Sequence, residues 1–293
     1  MPESQNLLTR RDFLKGTVGA TLASAIMGPA WAVGNVNADQ LSLVTVVRDK
    51  NVTDGNYKVD SKILKTMIDQ TVLQVTGKKQ VQEAWLNIIK KDDIVGLVTT
   101  SHHNPTHPEM EDAVKSSLTD VGIPSKNIKM AQGGKRRPKN CDALISLPAL
   151  KAHWLTGIGT VLKNYIMYSG RPTKYHEEGS AKLGEIWQIP EVKGKTKLIL
   201  VDAIYPLCDK GPQVDPRYKW LYNGLIAGTD PVAVEAVCLK IINAKRHLLR
   251  GEPWPITPPP LCLEAADKIY GLGTSDLKKI TIKHFGWKEE LLI

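Results

Sequence analysis

Four polar side chains that can bind an anion or move a proton lie just after one apolar run, residues 143–147. Lys151 and His153 follow the run closely, and Lys163 and Asn164 come soon after them. Ammonium and amide N–H groups are donors for anions, and histidine titrates near neutral pH. The segment therefore predicts a site for a small anionic ligand or cofactor. His153 and Lys163 are the catalytic candidates, and Lys151 and Asn164 are ligand-binding candidates.

The elements around this segment decide whether its side chains can meet. The run 143–147 is typical of a buried strand, and residues 156–168 are expected to form a helix. Ligands collect beyond the carboxyl ends of parallel strands, where helix N-termini offer free N–H groups. An anion there would meet the amides near Gly157. Lys163 would lie roughly 10 Å further along the helix and would have to reach back.

The same residues also fit a role without a ligand. Lys151 and Lys163 can be solvated surface lysines, His153 can be a hydrogen-bonded neutral side chain, and the glycines can serve packing. The spacing is neither a phosphate-binding loop nor a dinucleotide-binding fingerprint. Both interpretations stay open on the residue types alone.

Three of the seven histidines, His102, His103 and His107, lie in one loop. Imidazoles are ligands for zinc, copper and nickel, so this loop could form a metal site together with His153 or His176. Adjacent histidines on an extended chain seldom point the same way, and His107 can simply sit at a helix entrance. A His-ligated metal is therefore an alternative hypothesis for this region.

Strands and helices alternate along the chain. Strands are expected at residues 41–48, 94–98, 127–131, 143–147, 197–201 and 279–284. Helices are expected at 60–75, 81–89, 108–121, 156–168, from 230 onward, and at 262–270, with Thr106 and Asp230 as caps. This alternation, with continuously apolar strands, predicts an α/β fold in which helices flank a mostly parallel sheet.

The remaining segments are expected to elaborate one compact domain. Residues 165–195 and 205–223 form an elaborated middle, and nothing in them is typical of a flexible linker. Five prolines in 253–260 exclude helix and central strand, so this stretch should be an extended surface connection.

The order of short motifs resembles the domain-of-unknown-function 362 family. Residues 142–164 carry its central signature, Leu-Pro-x-x-Lys-x-His followed by Thr-Gly-x-x-x-x-x-Lys-Asn. Further matches lie at residues 106–109, 175–176, 201–204, 211–212 and 228–233. The resemblance extends over roughly residues 43–285. One departure is Gly159, where a threonine is expected.

The resemblance implies additional site residues and a biological setting. It adds His176 to the ligand-binding candidates, and Asp230 as well, although Asp230 is first of all a helix cap. Members of this family are often exported or fused to ferredoxin-type iron–sulfur modules, which implies a link to redox metabolism. No ferredoxin-type cysteine pattern occurs in these residues, and no activity common to the family is established.

The first 32 residues have the parts of a twin-arginine export signal. Arg10 and Arg11 precede a short apolar region interrupted by glycines, and a small-x-small site ends at Ala32. We expect cleavage after Ala32, a short linker at 33–42, and an α/β domain at 43–293. The expected location is the periplasm, reached folded through the twin-arginine translocase. No later run is long enough to cross a bilayer.

Four cysteines are spread over the mature chain without a Cys-x-x-Cys pair: Cys141, Cys208, Cys238 and Cys262. This spacing does not favour an iron–sulfur cluster or a cysteine-held zinc. One or two disulfides would be compatible with an oxidising compartment, and the sequence does not choose a pairing. Cys238, among apolar neighbours in an expected helix, is predicted to be buried and inert.

Composition and charge limit the class of partner. With 42% hydrophobic and 24% charged residues, the chain is neither disordered nor collagen-like. The formal charge is +9, and residues 1–32 hold three basic and two acidic side chains, so the mature chain keeps +8. The densest basic run, 135–139, lacks the interleaved aromatics of a nucleic-acid site and is typical of a solvated loop. Trp154 is the tryptophan expected to line a pocket.

Two functions from different classes follow. The first is an exported protein that binds a small anionic ligand or cofactor, with a link to redox metabolism. The second is a non-catalytic accessory protein whose basic surface docks an acidic redox partner. The sequence does not decide whether the chain is an enzyme. Convergence of Lys163, His153 and His176 in one concave pocket would favour the first function.

Overall fold

Nine strands organise the residues described by the computed structural model, 41–132 and 140–293. They are β1 (Ser42–Arg48), β2 (Val95–Thr99), β3 (Ile128–Met130), β4 (Ala143–Leu147), β5 (Ala149–His153), β6 (Gly157–Ile158), β7 (Thr196–Leu207), β8 (Gly224–Gly228) and β9 (Ile280–Gly286). The expected signal at 1–32, residues 33–40 of the expected linker and the basic run 135–139 lie outside the described residues. Ser42, the last residue of the expected linker, already belongs to β1.

The strand order along the sheet is β3-β2-β4-β7-β8-β1-β9. β2, β3, β4 and β7 pair in parallel, as do β1 and β9, whereas β8 is antiparallel to both of its neighbours. β5 continues almost directly from β4, pairs in parallel with the far part of the long strand β7, and forms a small antiparallel pair with β6. The mostly parallel sheet confirms the predicted α/β class.

Six α-helices of the described residues cover the two faces. They are α1 (Ser61–Thr76), α2 (Val81–Ile88), α3 (Pro108–Asp120), α4 (Leu183–Trp187), α5 (Pro231–Arg250) and α6 (Leu261–Lys268). Successive strand residues point to opposite faces, so Ala143 and Ile145 pack under α1–α3, while Leu144 packs in the core beneath α4–α6. The result is one compact three-layer unit.

Most predicted elements agree with the structure to within a few residues. Asp230 caps α5 through hydrogen bonds from Val232 and Ala233, as predicted. The cap predicted at Thr106 is wrong: α3 begins after His107, and the Thr106 hydroxyl donates to the Leu147 carbonyl instead. Residues 253–260 contain neither helix nor strand, as expected from their prolines.

The predicted helix at 156–168 is wrong. His153 and Ala152 pair with Gly157 and Ile158, so the chain reverses after β5. Gly157 supports the reversal with a φ of 76°, in the left-handed region that favours glycine. Turns and a short 3₁₀ helix, Ile166–Ser169, follow β6. The small strands β5, β6 and β8 were not predicted.

All four cysteines are buried and free, and Cys238 is buried in α5 as predicted. Among the described residues, no helix combines the length and apolar character needed to span a membrane.

Candidate functional site

Five of the seven residues predicted for catalysis or ligand binding line one cavity of about 360 Å³. They are Lys151, His153, Lys163, Asn164 and His176. The cavity lies beyond the carboxyl ends of β2 and β4, which is where open α/β sheets place their ligands. Its volume falls in the range of small-molecule sites.

β5 presents two of these side chains together. Lys151 and His153 are two positions apart on the strand, so both point to the same side. The strand is buried along its whole length by its pairing with β6 and β7. Both side chains are therefore held inside the protein, each about 5% exposed.

Lys163 reaches the cavity because of the chain reversal and not by reaching along a helix. Gly159 donates to the carbonyl of Lys151, and the hydroxyl of Thr160 accepts from the Lys151 amide. The buried carboxylate of Glu235, on α5, accepts from the amide of Val161 at 2.7 Å. These bonds fix the turn that precedes Lys163.

The Lys151 ammonium ties down the loop after β2. Its Nζ donates to the carbonyl oxygens of His102 at 3.0 Å and His103 at 2.6 Å. His103 and Asn104 adopt left-handed backbone with φ of 51° and 61°. An ammonium has three N–H donors, so one remains for a ligand after these two bonds.

Asn164 connects the strand ends beneath the cavity. Its amide nitrogen donates to the Val98 carbonyl at 2.7 Å and to the Ser146 hydroxyl at 2.9 Å. Its carbonyl oxygen accepts from the Thr100 hydroxyl at 3.3 Å. Both amide hydrogens are thus used inside the protein, which makes Asn164 a residue that shapes the cavity more than one that donates to a ligand.

His153 and His176 lie side by side with ring centroids 5.3 Å apart. The Leu155 amide donates to Nδ1 of His153 at 3.2 Å, which assigns the proton of a neutral ring to Nε2. Nδ1 of His176 lies 2.9 Å from the Pro172 carbonyl, which can only accept, so His176 has its proton on Nδ1 and a lone pair on Nε2. The pair therefore offers one N–H donor and one basic nitrogen.

Burial weakens the basicity of Lys151, Lys163, His153 and His176, and repulsion between neighbouring cations adds to this effect for the last three. Burial lowers the pKa of Lys151 to about 8. Burial, followed by the charge of Lys151, lowers the pKa of Lys163 to about 7. Burial and the neighbouring amines lower the pKa of His153 to about 2, and the pKa of His176 also falls. Among the described residues that line the cavity, none is acidic.

Lys163 is the least satisfied group of the site. Its Nζ is buried and has no hydrogen-bond partner among the described residues. The same holds for Oε1 of Glu235, whose charge is close enough to raise the pKa of Lys163 slightly against the larger effect of burial. An ammonium without an acceptor is costly inside a protein, and burial accordingly favours the neutral form of the Lys163 amine.

The other two predicted ligand-binding residues, Gly157 and Asp230, lie elsewhere. Gly157 packs against the backbone of Pro258, and Gly159 lines the cavity in its place. Both carboxylate oxygens of Asp230 are used by the α5 cap, Ser42 and Thr274.

His107 turns away from the other loop histidines, and its Nδ1 bonds to the buried carboxylate of Asp202 at 2.7 Å. His102 and His103 do line the cavity. No group of three or more His, Cys, Asp or Glu side chains suited to a metal ion occurs in the described parts of the chain. The geometry therefore gives the metal hypothesis for His102, His103 and His107 no support.

Sequence reasoning missed Glu235 and the polar residues Thr99, Thr100 and Gln132, which also line or support the cavity. One signal pointed to Glu235: it is the single charged residue in the apolar start of α5, residues 231–238. Trp154 lines the cavity, as predicted.

Comparison with known proteins identifies a family for the central part of the chain. The family model for a domain of unknown function (DUF362) matches residues 97–240. This match begins in β2, ends in α5 and contains every residue that lines the cavity. No curated protein and no solved structure matches the chain. The motifs predicted a family resemblance over residues 43–285. Outside residues 97–240 this stays a prediction.

Proposed function

We propose that this DUF362 family protein binds a small anionic ligand in the cavity lined by Lys151, Lys163, His153 and His176. One observation carries the proposal: the buried Nζ of Lys163 has no acceptor among the described residues, in a cavity whose described lining contains no acidic side chain. A bound anion would supply the missing acceptor. It would also relieve the repulsion between the two amines.

The walls of the cavity define the rest of the ligand. Ile166, Met167, Leu155 and Pro212 supply apolar surface, and Trp154 is 57% exposed. Exposed aromatic rings can cover flat apolar groups. We therefore expect an anionic head at the lysines and a compact apolar or aromatic body against these residues.

The two histidines give the site a proton-transfer function that depends on the ligand. Without an anion, His153 is neutral because its pKa is about 2. A negative charge beside it raises the stability of the imidazolium and hence its pKa. His176 offers the Nε2 lone pair as a base, and His153 offers the Nε2 proton. Together they could move a proton on a bound ligand.

The cellular setting is part of the proposal and rests on sequence features. Arg10, Arg11 and Ala32 support export through the twin-arginine translocase and release into the periplasm. The family resemblance supports a link to redox metabolism, in which the ligand or an acidic redox protein would be the partner. Replacing Arg10 and Arg11 by lysine should leave the precursor uncleaved in the cytoplasm. Processing and export unaffected by this change would contradict the export route.

Ligand binding can be tested by thermal denaturation in the presence of defined anions. Phosphate, oxalate and pyridoxine 5′-phosphate should each be titrated against wild type and Lys163→Met. We expect at least one of them to raise the melting temperature of wild type in a saturable way and to have a much smaller effect on the variant. Lys62→Met, at an exposed position on α1, is the matched control. Equal stabilisation of all three proteins would contradict binding at Lys163.

A further inference from the structure

The two buried lysines of the cavity have different surroundings. Lys151 gives two of its hydrogen bonds to the carbonyls of His102 and His103 and is thereby held as an ammonium. Lys163 has no such partner among the described residues. A lysine that acts only as a positive charge can keep its hydrogen bonds to acceptors of the protein. A lysine that reacts as a nucleophile needs a neutral amine whose nitrogen is not held by such bonds.

The chemical state of Lys163 fits the second use. Burial and the charge of Lys151 lower its pKa to about 7, so about half of the amine is neutral near pH 7. A neutral buried amine is a nucleophile, and desolvated lysines of this kind form Schiff bases with carbonyl compounds. Two buried side chains lie close to Lys163: Glu235 on α5 and Cys262 on α6.

The neighbours of Lys163 can handle the protons that such a reaction requires. His153 has an N–H on Nε2 and His176 has a lone pair on Nε2, and both rings line the same cavity. Formation of an imine needs an acid for the carbonyl oxygen and a base for the amine proton. His176 provides the base. The Nε2–H of His153 donates a hydrogen bond to the carbonyl oxygen, and His153 becomes the acid when the bound anion raises its pKa.

We propose that the ligand of this cavity is an anionic aldehyde or ketone and that Lys163 binds it covalently as an imine. This inference rests on the proposed anion binding and specifies the class of ligand: the anionic group lies at the Lys151 ammonium, which keeps one N–H free, and the carbonyl lies at Lys163. In the first step the Nζ lone pair forms a bond to the carbonyl carbon, and the π electrons of the carbonyl move to its oxygen. The nitrogen gives up one proton and the oxygen takes one, which gives a carbinolamine. The oxygen then takes a second proton, the carbon–oxygen bond breaks and water leaves, while the nitrogen lone pair completes the C=N bond. Loss of the remaining N–H proton gives the imine, so the two protons that the nitrogen loses equal the two that the oxygen gains. No oxidant or reductant takes part.

Reductive trapping on the full chain tests the proposal. The protein is incubated with pyridoxal 5′-phosphate or with glyoxylate, reduced with cyanoborohydride, and mapped by peptide mass spectrometry. We expect Lys163 to be labelled at least tenfold faster than exposed Lys62 at neutral pH. The two probes distinguish a phosphate from a carboxylate as the anionic group. Labelling of Lys163 no faster than that of Lys62 with both aldehydes would overturn the imine.

Two controls separate this inference from the proposed function. Pyridoxine 5′-phosphate has an alcohol in place of the aldehyde, so it should compete with pyridoxal 5′-phosphate without forming an adduct. Lys163→Arg keeps the charge and should lose the trapped adduct, whereas Lys62→Met, at an exposed position on α1, should keep labelling at Lys163. Saturable binding of the alcohol without preferential trapping of the aldehyde would overturn the imine alone. Absence of binding by both probes would overturn both proposals.

Discussion

The carboxylate of Glu235 accepts a hydrogen bond from the Val161 amide at 2.7 Å, across the interface between α5 and the turn that leads to Lys163. Burial raises the pKa of Glu235 to about 7, against the opposing effect of hydrogen bonds from the turn's backbone amides. Glu235 is fully buried and accepts hydrogen bonds from backbone amides of this turn. It therefore helps to hold the turn that positions Lys163.

Glu235→Ala should reduce the free energy of unfolding by about 1–3 kcal/mol, because it leaves a buried backbone donor without an acceptor. Glu235→Gln keeps an acceptor oxygen and is neutral, so its loss should be smaller. Urea denaturation followed by tryptophan fluorescence measures both. Equal stability of Glu235→Ala and wild type would show that the turn does not depend on this carboxylate.

The pH dependence of stability should report the state of Lys163. Burial lowers its pKa from 10.5 to about 7, so between these values the folded chain binds fewer protons than the unfolded chain. The contribution of Lys163 to the free energy of unfolding therefore rises with pH over this range, by up to about 1.4 kcal/mol per pH unit. Lys163→Met lacks this contribution. Urea midpoints between about pH 7 and 8.5 should rise more for wild type than for the variant. Parallel profiles would mean that the amine is not perturbed.

Lys151 should control the order of the loop after β2. Lys151→Met removes the bonds to the carbonyls of His102 and His103. Hydrogen exchange at the Thr106 amide, which donates to the Thr100 carbonyl, should then become faster, because backbone protection depends on local stability. Lys163→Met, in the same cavity, is the matched variant and should leave this loop protected. Faster exchange in both variants would indicate a general loss of stability.

The tautomers and charge of the histidine pair can be observed directly. In ¹⁵N NMR spectra, His153 should remain neutral with its proton on Nε2 down to about pH 5, because its pKa is lowered to about 2. Addition of a bound anion should raise that pKa. An imidazolium signal for His153 at neutral pH in the absence of ligand would contradict the assignment.

The elements that the sequence predicted correctly are those whose signals lie in neighbouring residues of the chain. The alternation of strands and helices predicted the α/β class, and Asp230 predicted the start of α5 because Asp is a helix cap. The predicted helix at 156–168 failed because local propensity gives no information on pairing. The partners of this segment are β5 and Glu235, and the latter lies 74 residues away from Val161 in the chain.

The candidate site was partly accessible from the sequence. Lys151 and His153 could be placed together from their spacing beyond an apolar run, since strands end at the ligand-binding edge of such sheets. His176 came only from the family resemblance, because residues 172–180 form an irregular 3₁₀ segment without periodicity. The bonds that occupy Asn164 and turn His107 towards Asp202 depend on tertiary contacts, which residue type does not specify.

Isothermal titration calorimetry with pyridoxine 5′-phosphate tests the central claim most directly, because it reports anion binding and linked proton uptake together. Titrations of wild type and Lys163→Met near pH 7.5, in two buffers of different ionisation enthalpy, give the affinity and the number of protons taken up. We predict binding by wild type with uptake of protons, since an anion raises the lowered pKa values of Lys151 and Lys163. The variant should bind roughly 10- to 100-fold more weakly, the loss expected for one charge-assisted hydrogen bond. Equal affinity for both proteins, or binding without proton uptake by wild type, would contradict an anion site at Lys163.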